Sequence, residues 1–97
     1  MPKLIRDKIP ELIEERGEDA SVHLADEEEF VNALREKLVE EVGEFLQKPS
    51  AEEMADILEV MDAMCAVYSI DPIEVQDVKE HKFMERGGFE KKIILDN

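Results

Sequence analysis

Two segments of this chain each place a pair of carboxylates among apolar residues. Glu41 and Glu44 lie in the run LVEEVGEFL, and Glu53 and Asp56 lie in EMADIL. On a helix, a spacing of three brings both members of a pair to one face. A buried carboxylate is costly unless a cation or a metal compensates it. Four such groups facing one another across a helix pair therefore predict a site for a divalent metal ion.

Capping signals predict the two helices that would carry these carboxylates. Asp26 and Ser50 are each followed three residues later by Glu, which is the spacing of a capping box. They predict helices over about 27–47 and 51–69, joined by a short Pro-Ser connection into an antiparallel hairpin. Glu53 is the second residue of one such box, so it could act as a cap, as a metal ligand, or as both.

Shorter elements are expected at the two ends of the chain. Asp7 predicts the cap of a helix that ends near residue 16, and Asp71 before a proline predicts a helix that ends near residue 86. The apolar tail at 93–95 is expected to be a short strand or an extended segment that could pair with residues 3–5. The predicted fold class is all-α.

Helical periodicity predicts which carboxylates face the core. At about 100° per residue, Glu41 falls inside the apolar arc of the first long helix, and Glu44 falls on its margin. On the second long helix Glu53 lies inside the apolar arc and Asp56 at its edge, whereas Glu59 points to the other side.

An all-oxygen ligand set selects hard cations, so we expect Mg²⁺, with Mn²⁺ as a substitute. Two alternatives remain open. The acids could be ordinary exposed groups, or they could pair with Arg35 and Lys37 across an interface in a helical interaction protein that needs no metal.

Composition limits the classes of function. The 97 residues predict one domain, 1–97, with a net charge of -14 that argues against binding to a nucleic-acid polymer. No apolar run approaches the roughly 20 residues that span a membrane, and the charged N-terminus is unlike a signal peptide. The single Cys65 suits a reducing compartment, so a cytoplasmic location is expected.

The two carboxylate pairs resemble the ExxE and ExxD signature of the all-α nucleoside triphosphate pyrophosphatases. That group includes MazG-like enzymes, dimeric dUTPases and phosphoribosyl-ATP pyrophosphohydrolase. Residues 3–10 (KLIRDKIP) and 85–91 (ERGGFEK) are similar to the two ends of small MazG-related proteins described as predicted house-cleaning pyrophosphatases. The resemblance covers nearly the whole chain.

The resemblance implies a Mg²⁺-dependent hydrolase that converts a nucleoside triphosphate to a nucleoside monophosphate and pyrophosphate, with non-canonical nucleotides as the expected substrates. Glu41, Glu44, Glu53 and Asp56 would be the metal ligands. Glu40 could be a further ligand, position the water, or be a surface acid. Phosphoribosyl-ATP is the alternative substrate.

A basic stripe on the last predicted helix could bind the triphosphate tail. It consists of Lys79, Lys82 and Arg86, and Arg6 is a further candidate near the start of the chain. The stripe is equally compatible with a solvated helix C-terminus, where basic residues meet the helix dipole favourably.

The wide apolar arcs of the two long helices predict assembly. A hairpin with short flanking helices leaves part of these arcs uncovered, which is rare in a stable monomer. We therefore expect a homodimer or a dimer of dimers that forms a four-helix bundle, with the active site near the interface.

Overall fold

The computed structural model describes residues 2–97; Met1, which belongs to the predicted domain, lies outside the described residues. The chain forms four helices in the order α1 (Ile9–Glu15), α2 (Glu27–Gln47), α3 (Ala51–Val67) and α4 (Pro72–Arg86). No strand occurs within residues 2–97, which confirms the all-α class. None of the helices in this part of the chain is long and apolar enough to cross a membrane.

Side-chain caps fix the starts of the three longer helices. Asp26 accepts a hydrogen bond from the N–H of Glu29 at 2.9 Å, and Ser50 accepts one from the N–H of Glu53 at 3.1 Å. Asp71 accepts one from the N–H of Ile73 at 2.9 Å. Each acceptor satisfies one of the backbone N–H groups that a helix start leaves without a partner.

Two predictions about helix ends were wrong. Asp7 does not cap α1: the N-cap is Lys8, which makes no side-chain cap bond, and the N–H of Ile9 is already bonded to the carbonyl of Arg6 in a turn. Helix α3 ends at Val67 rather than near residue 69, because Ser69 adopts a left-handed backbone with φ of 56°.

Helices α2 and α3 form the antiparallel hairpin, and theirs is the one extensive helix–helix contact in residues 2–97. Leu34 on α2 and Val60 on α3 are the buried apolar residues of this contact. The other half of each apolar arc is exposed. These residues define the uncovered hairpin face: Val39, Val42 and Leu46 on α2, and Met54, Leu58 and Met61 on α3.

Helix α4 does not pack extensively against the hairpin, and all its residues are exposed. The overall shape is correspondingly open. The radius of gyration is 17.7 Å, whereas a compact domain of this length has about 12.5 Å.

The strand, one of the two alternatives expected for residues 93–95, does not form, and this segment has no regular secondary structure. Ile93, Ile94 and Leu95 are between 79% and 83% exposed, and no residue of 3–5 pairs with them. An isolated pair of short strands is marginally stable in water without a third strand or a helix to pack on. The chain offers neither at this position.

Candidate metal centre

Three of the predicted ligands converge between α2 and α3. Each of Glu41, Glu53 and Asp56 offers a carboxylate oxygen, and these oxygens all lie within 4.8 Å of one another. Glu41 is buried, with 7% of its surface exposed, and the other two are half-buried. We call these three residues the carboxylate cluster.

The hairpin itself places the cluster. Glu41 stands on the core-facing side of α2, two turns beyond the buried Leu34. Ser50 starts α3 three residues before Glu53, so Glu53 and Asp56 occupy the first two turns of α3 on one face. The short connection after α2 then brings these turns beside Glu41.

Two oxygens of the cluster have no partner. Oε2 of Glu41 and Oε2 of Glu53 are buried and make no hydrogen bond within residues 2–97. A buried acceptor left unsatisfied costs about 1–3 kcal/mol, and more when it is charged. Native chains retain such groups where they serve a ligand or a reaction more often than by chance.

The electrostatics of Glu41 follow from this environment. Burial raises the pKa of its carboxyl above the ordinary value of 4.5, and the nearby charges of Glu44 and Asp56 raise it further. The ammonium of Lys37 acts in the opposite direction and lowers this pKa, but it does not cancel the increase.

Two basic side chains partly neutralise the cluster. Nη2 of Arg6 donates a hydrogen bond to Oδ1 of Asp56 at 2.7 Å. Nζ of Lys37 lies 3.5 Å from Oε1 of Glu41 and 3.9 Å from Oε1 of Glu40. Two cations therefore neutralise part of the charge of three carboxylates. Neither cation forms a hydrogen bond with the buried, unpartnered Oε2 atoms of Glu41 and Glu53.

The donor set fits a hard divalent cation. Mg²⁺ binds oxygen ligands at about 2.1 Å, so oxygens on opposite sides of it are about 4.2 Å apart. Neighbouring ligands of an octahedral Mg²⁺ are only about 3.0 Å apart, so oxygens that lie within 4.8 Å of one another leave room for the ion and would draw closer around it. The unpartnered oxygens of Glu41 and Glu53 would gain their missing interaction.

Glu44 and Glu40, the other two acids predicted for the site, lie at its margin. Glu44 is exposed and stands outside the carboxylate cluster, although it is near enough for its charge to raise the pKa of Glu41. Glu40 is exposed and faces Lys37.

The predicted phosphate-binding residues lie in two places. Arg6 is at the cluster, bonded to Asp56. Lys79, Lys82 and Arg86 are exposed on α4, and they form no ion pair with any carboxylate of residues 2–97. Because α4 does not pack extensively on the hairpin, a single chain does not bring this stripe to the cluster.

Sequence reasoning missed the contact of Lys37 with Glu41. The sequence suggests Lys37 as a partner for the acids across an interface, whereas in the structure it pairs with Glu41 on the same helix. The i,i+4 spacing of the two residues was a signal that could have identified this pair.

Comparison of the chain with known proteins returned no matching family model, no matching curated protein and no matching solved structure.

Proposed function

We propose that this chain is a Mg²⁺-dependent nucleoside triphosphate pyrophosphohydrolase of the MazG-like type, acting on non-canonical nucleotides. The observation that carries the proposal is the carboxylate cluster with its two buried, unpartnered oxygens. The ExxE and ExxD spacing and the resemblance of both chain ends support it. The reaction releases a nucleoside monophosphate and pyrophosphate.

In this proposal Glu41, Glu53 and Asp56 hold the metal, and Glu44 joins them from the margin of the cluster. A divalent cation in this position supplies neutralisation of the triphosphate charge and lowers the pKa of a nearby water. Mn²⁺ would substitute, since it also accepts carboxylate ligands. The rigid helix backbone under Glu41 and the cap at Ser50 keep the ligand positions fixed.

Glu40 is the candidate for positioning the attacking water. It is exposed beside the cluster, and its nearest cation is Lys37 at 3.9 Å, a distance that leaves its carboxylate free to accept a hydrogen bond from water. Glu41 is the second candidate, because a carboxylate that holds the metal also lies beside a water bound to that metal.

We also propose that the active form is a homodimer or a dimer of dimers. The accessible surface is 9055 Å², whereas a monomeric protein of 11.2 kDa has about 5,700 Å². The difference, about 3,400 Å² per chain, exceeds the roughly 800 Å² that each partner buries in a standard interface. A second copy on the uncovered hairpin face would complete a four-helix bundle.

Assembly also offers a role for α4. Its basic stripe forms no ion pair with a carboxylate of residues 2–97, so it could reach the phosphates bound at the cluster of another copy. We further propose a cytoplasmic location, because the single Cys65 is a free thiol.

The test is pyrophosphate release from a panel of normal and damaged nucleoside triphosphates, with and without Mg²⁺. Glu41→Gln and Asp56→Asn should each abolish hydrolysis, because each removes a ligand charge while keeping the side-chain shape. Glu59→Gln, an exposed acid on α3, is the matched control and should keep the rate. Equal losses at positions 41 and 59 would refute the site, and no release from any substrate would refute the activity.

Two alternatives to this function predict different results in these tests. Phosphoribosyl-ATP is included among the tested nucleotides, and hydrolysis of this compound alone would identify it as the substrate. The ion pairs of Arg6 with Asp56 and of Lys37 with Glu41 favour a second candidate, a helical interaction protein whose acids are neutralised by basic residues. That candidate predicts no binding of Mg²⁺ at millimolar concentration in calorimetry.

A further inference from the structure

We propose that Arg6 is a built-in counter-ion of the metal centre that exchanges partners: it holds Asp56 in the metal-free protein and binds a phosphate group of the substrate once the metal is present. This inference rests on the proposed function and adds a residue-level account of how the site changes between its two states.

The contact with Asp56 places Arg6 inside the site. Nη2 of Arg6 is 2.7 Å from Oδ1 of Asp56, and an oxygen of Asp56 lies within 4.8 Å of oxygens from Glu41 and Glu53. A guanidinium in this position would stand within roughly 5 Å of a divalent cation in the cluster, where like charges repel. Loading the site therefore weakens the contact of Arg6 with Asp56 and favours its release.

The contact between Arg6 and Asp56 is weak enough to be released. The side chains of Arg6 and Asp56 are 56% and 40% exposed, and exposed ion pairs of this kind contribute little to stability. The bond to Asp56 is the one hydrogen bond that the guanidinium makes within residues 2–97.

The backbone keeps Arg6 near the site after release. Leu4 and Ile5 before it and Ile9 after it are half-buried, and the carbonyl of Arg6 accepts a hydrogen bond from the N–H of Ile9 at 3.1 Å. These anchors do not depend on the guanidinium. The side chain can therefore swing while its Cα stays in place.

Charge balance indicates what Arg6 would bind next. The three carboxylates of the cluster and that of Glu44, which joins them around the metal in the proposed site, carry four negative charges, and Lys37 and Arg6 supply two positive ones, which leaves two negative charges. A divalent cation neutralises these two charges, so the guanidinium of Arg6 is no longer needed as a counter-ion and is available for an anion. The planar guanidinium fork suits the oxygens of a phosphate group, which it can bind with two parallel hydrogen bonds.

The experiment is calorimetric titration of the full chain and its variants, first with Mg²⁺ alone and then with inorganic pyrophosphate at saturating Mg²⁺. Arg6→Ala should bind Mg²⁺ about two- to fivefold more tightly, since an exposed ion pair no longer competes. The same variant should bind pyrophosphate at least about tenfold more weakly, the scale of a lost charged hydrogen bond. The affinities of Arg6→Lys for Mg²⁺ and for pyrophosphate should lie between those of the unmodified protein and those of Arg6→Ala.

Lys3→Ala is the matched control, because Lys3 is an exposed base in the same segment with no ion pair within residues 2–97. It should leave both affinities unchanged. A merely structural Arg6 predicts weaker Mg²⁺ binding in Arg6→Ala, and that result, or an unchanged affinity for either ligand, overturns the proposal. If the unmodified protein binds no Mg²⁺, the proposed function and the role of Arg6 both fail. If it binds Mg²⁺ but Arg6→Ala has the same affinities as the unmodified protein, only the role of Arg6 fails.

Discussion

Ser50 and Glu53 share one hydrogen bond of a capping box rather than two. The hydroxyl of Ser50 accepts from the N–H of Glu53 at 3.1 Å, but the Glu53 carboxylate makes no return bond to the backbone of Ser50. Within residues 2–97 its Oε2 is buried without a partner, beside Glu41 and Asp56. The cap thus fixes the backbone of Glu53 and leaves its carboxylate for the cluster.

We therefore predict that Ser50→Ala destabilises the protein by about 1 kcal/mol and also weakens Mg²⁺ binding, because Glu53 loses its fixed position. Urea unfolding and calorimetry would measure the two effects. Ser50→Asp should retain both properties, since aspartate is also a good N-cap. Ser21→Ala, in an exposed segment without helix, is the control; a loss as large there would mean that the cap at Ser50 is not the cause.

Mg²⁺ or Mn²⁺ should raise the thermal midpoint, and a chelator should reverse the gain. The carboxylates of the cluster repel one another without metal, and a ligand bound only by the folded form stabilises it by about 2.7 kcal/mol at 100 times its Kd. Scanning calorimetry would measure the shift. Na⁺ at matched ionic strength should not reproduce it, and an equal gain in Glu41→Gln would place the bound ion elsewhere.

The stability of the metal-free protein should depend on pH through Glu41. Because its pKa is raised on folding above the ordinary 4.5, the folded chain holds this proton more tightly than the unfolded chain does. The resulting stability is fully present below pH 4.5 and is lost as the pH rises through the raised value.

Glu41→Gln removes this titration, so its unfolding free energy relative to the parent should increase as the pH rises through that window and then level off. The gain should reach the order of 1 kcal/mol, the cost of an unsatisfied buried group. Urea unfolding in chelator, from about pH 4 to about pH 8, spans the transition. A difference that does not change with pH would show that Glu41 does not titrate as described.

Substitution on the uncovered hairpin face should break the assembly. Leu46 is 71% exposed in the single chain, and Leu46→Glu would place a charge in the proposed interface, at a cost of several kcal/mol. Light scattering at micromolar concentration should report an oligomer for the parent and a monomer for this variant. Gln47→Glu adds the same charge at the next position, off the apolar arc, and should remain oligomeric. An active monomer of the unmodified chain would exclude this assembly.

Local signals in the sequence predicted much of this structure. The caps at Asp26, Ser50 and Asp71 set the helix starts because a capping bond joins residues only two or three positions apart. The burial of Glu41 followed from the 3.6-residue period of α2. Both features depend on short-range geometry that a single helix already contains.

Contacts between distant segments could not be predicted in this way. Arg6 and Asp56 are 50 positions apart and lie on an irregular segment and a helix, so no periodicity links them. The position of α4 could not be predicted either. Its exposed apolar residues, such as Ile73, Val78 and Phe83, do not form one stripe that would indicate a packing face. The missing strand at the tail shows that β-branched residues form a sheet only where something covers them.

The uncovered hairpin face has to unite two chains that each carry a net charge of -14. At low ionic strength this repulsion opposes the apolar contact over long distances, while at 0.1 M salt it is screened beyond about 10 Å. Association of this protein should therefore strengthen as salt is added, the reverse of an interface held by ion pairs. Subunit exchange would be fastest in dilute buffer, and the assembled state would be favoured at the ionic strength of a cell.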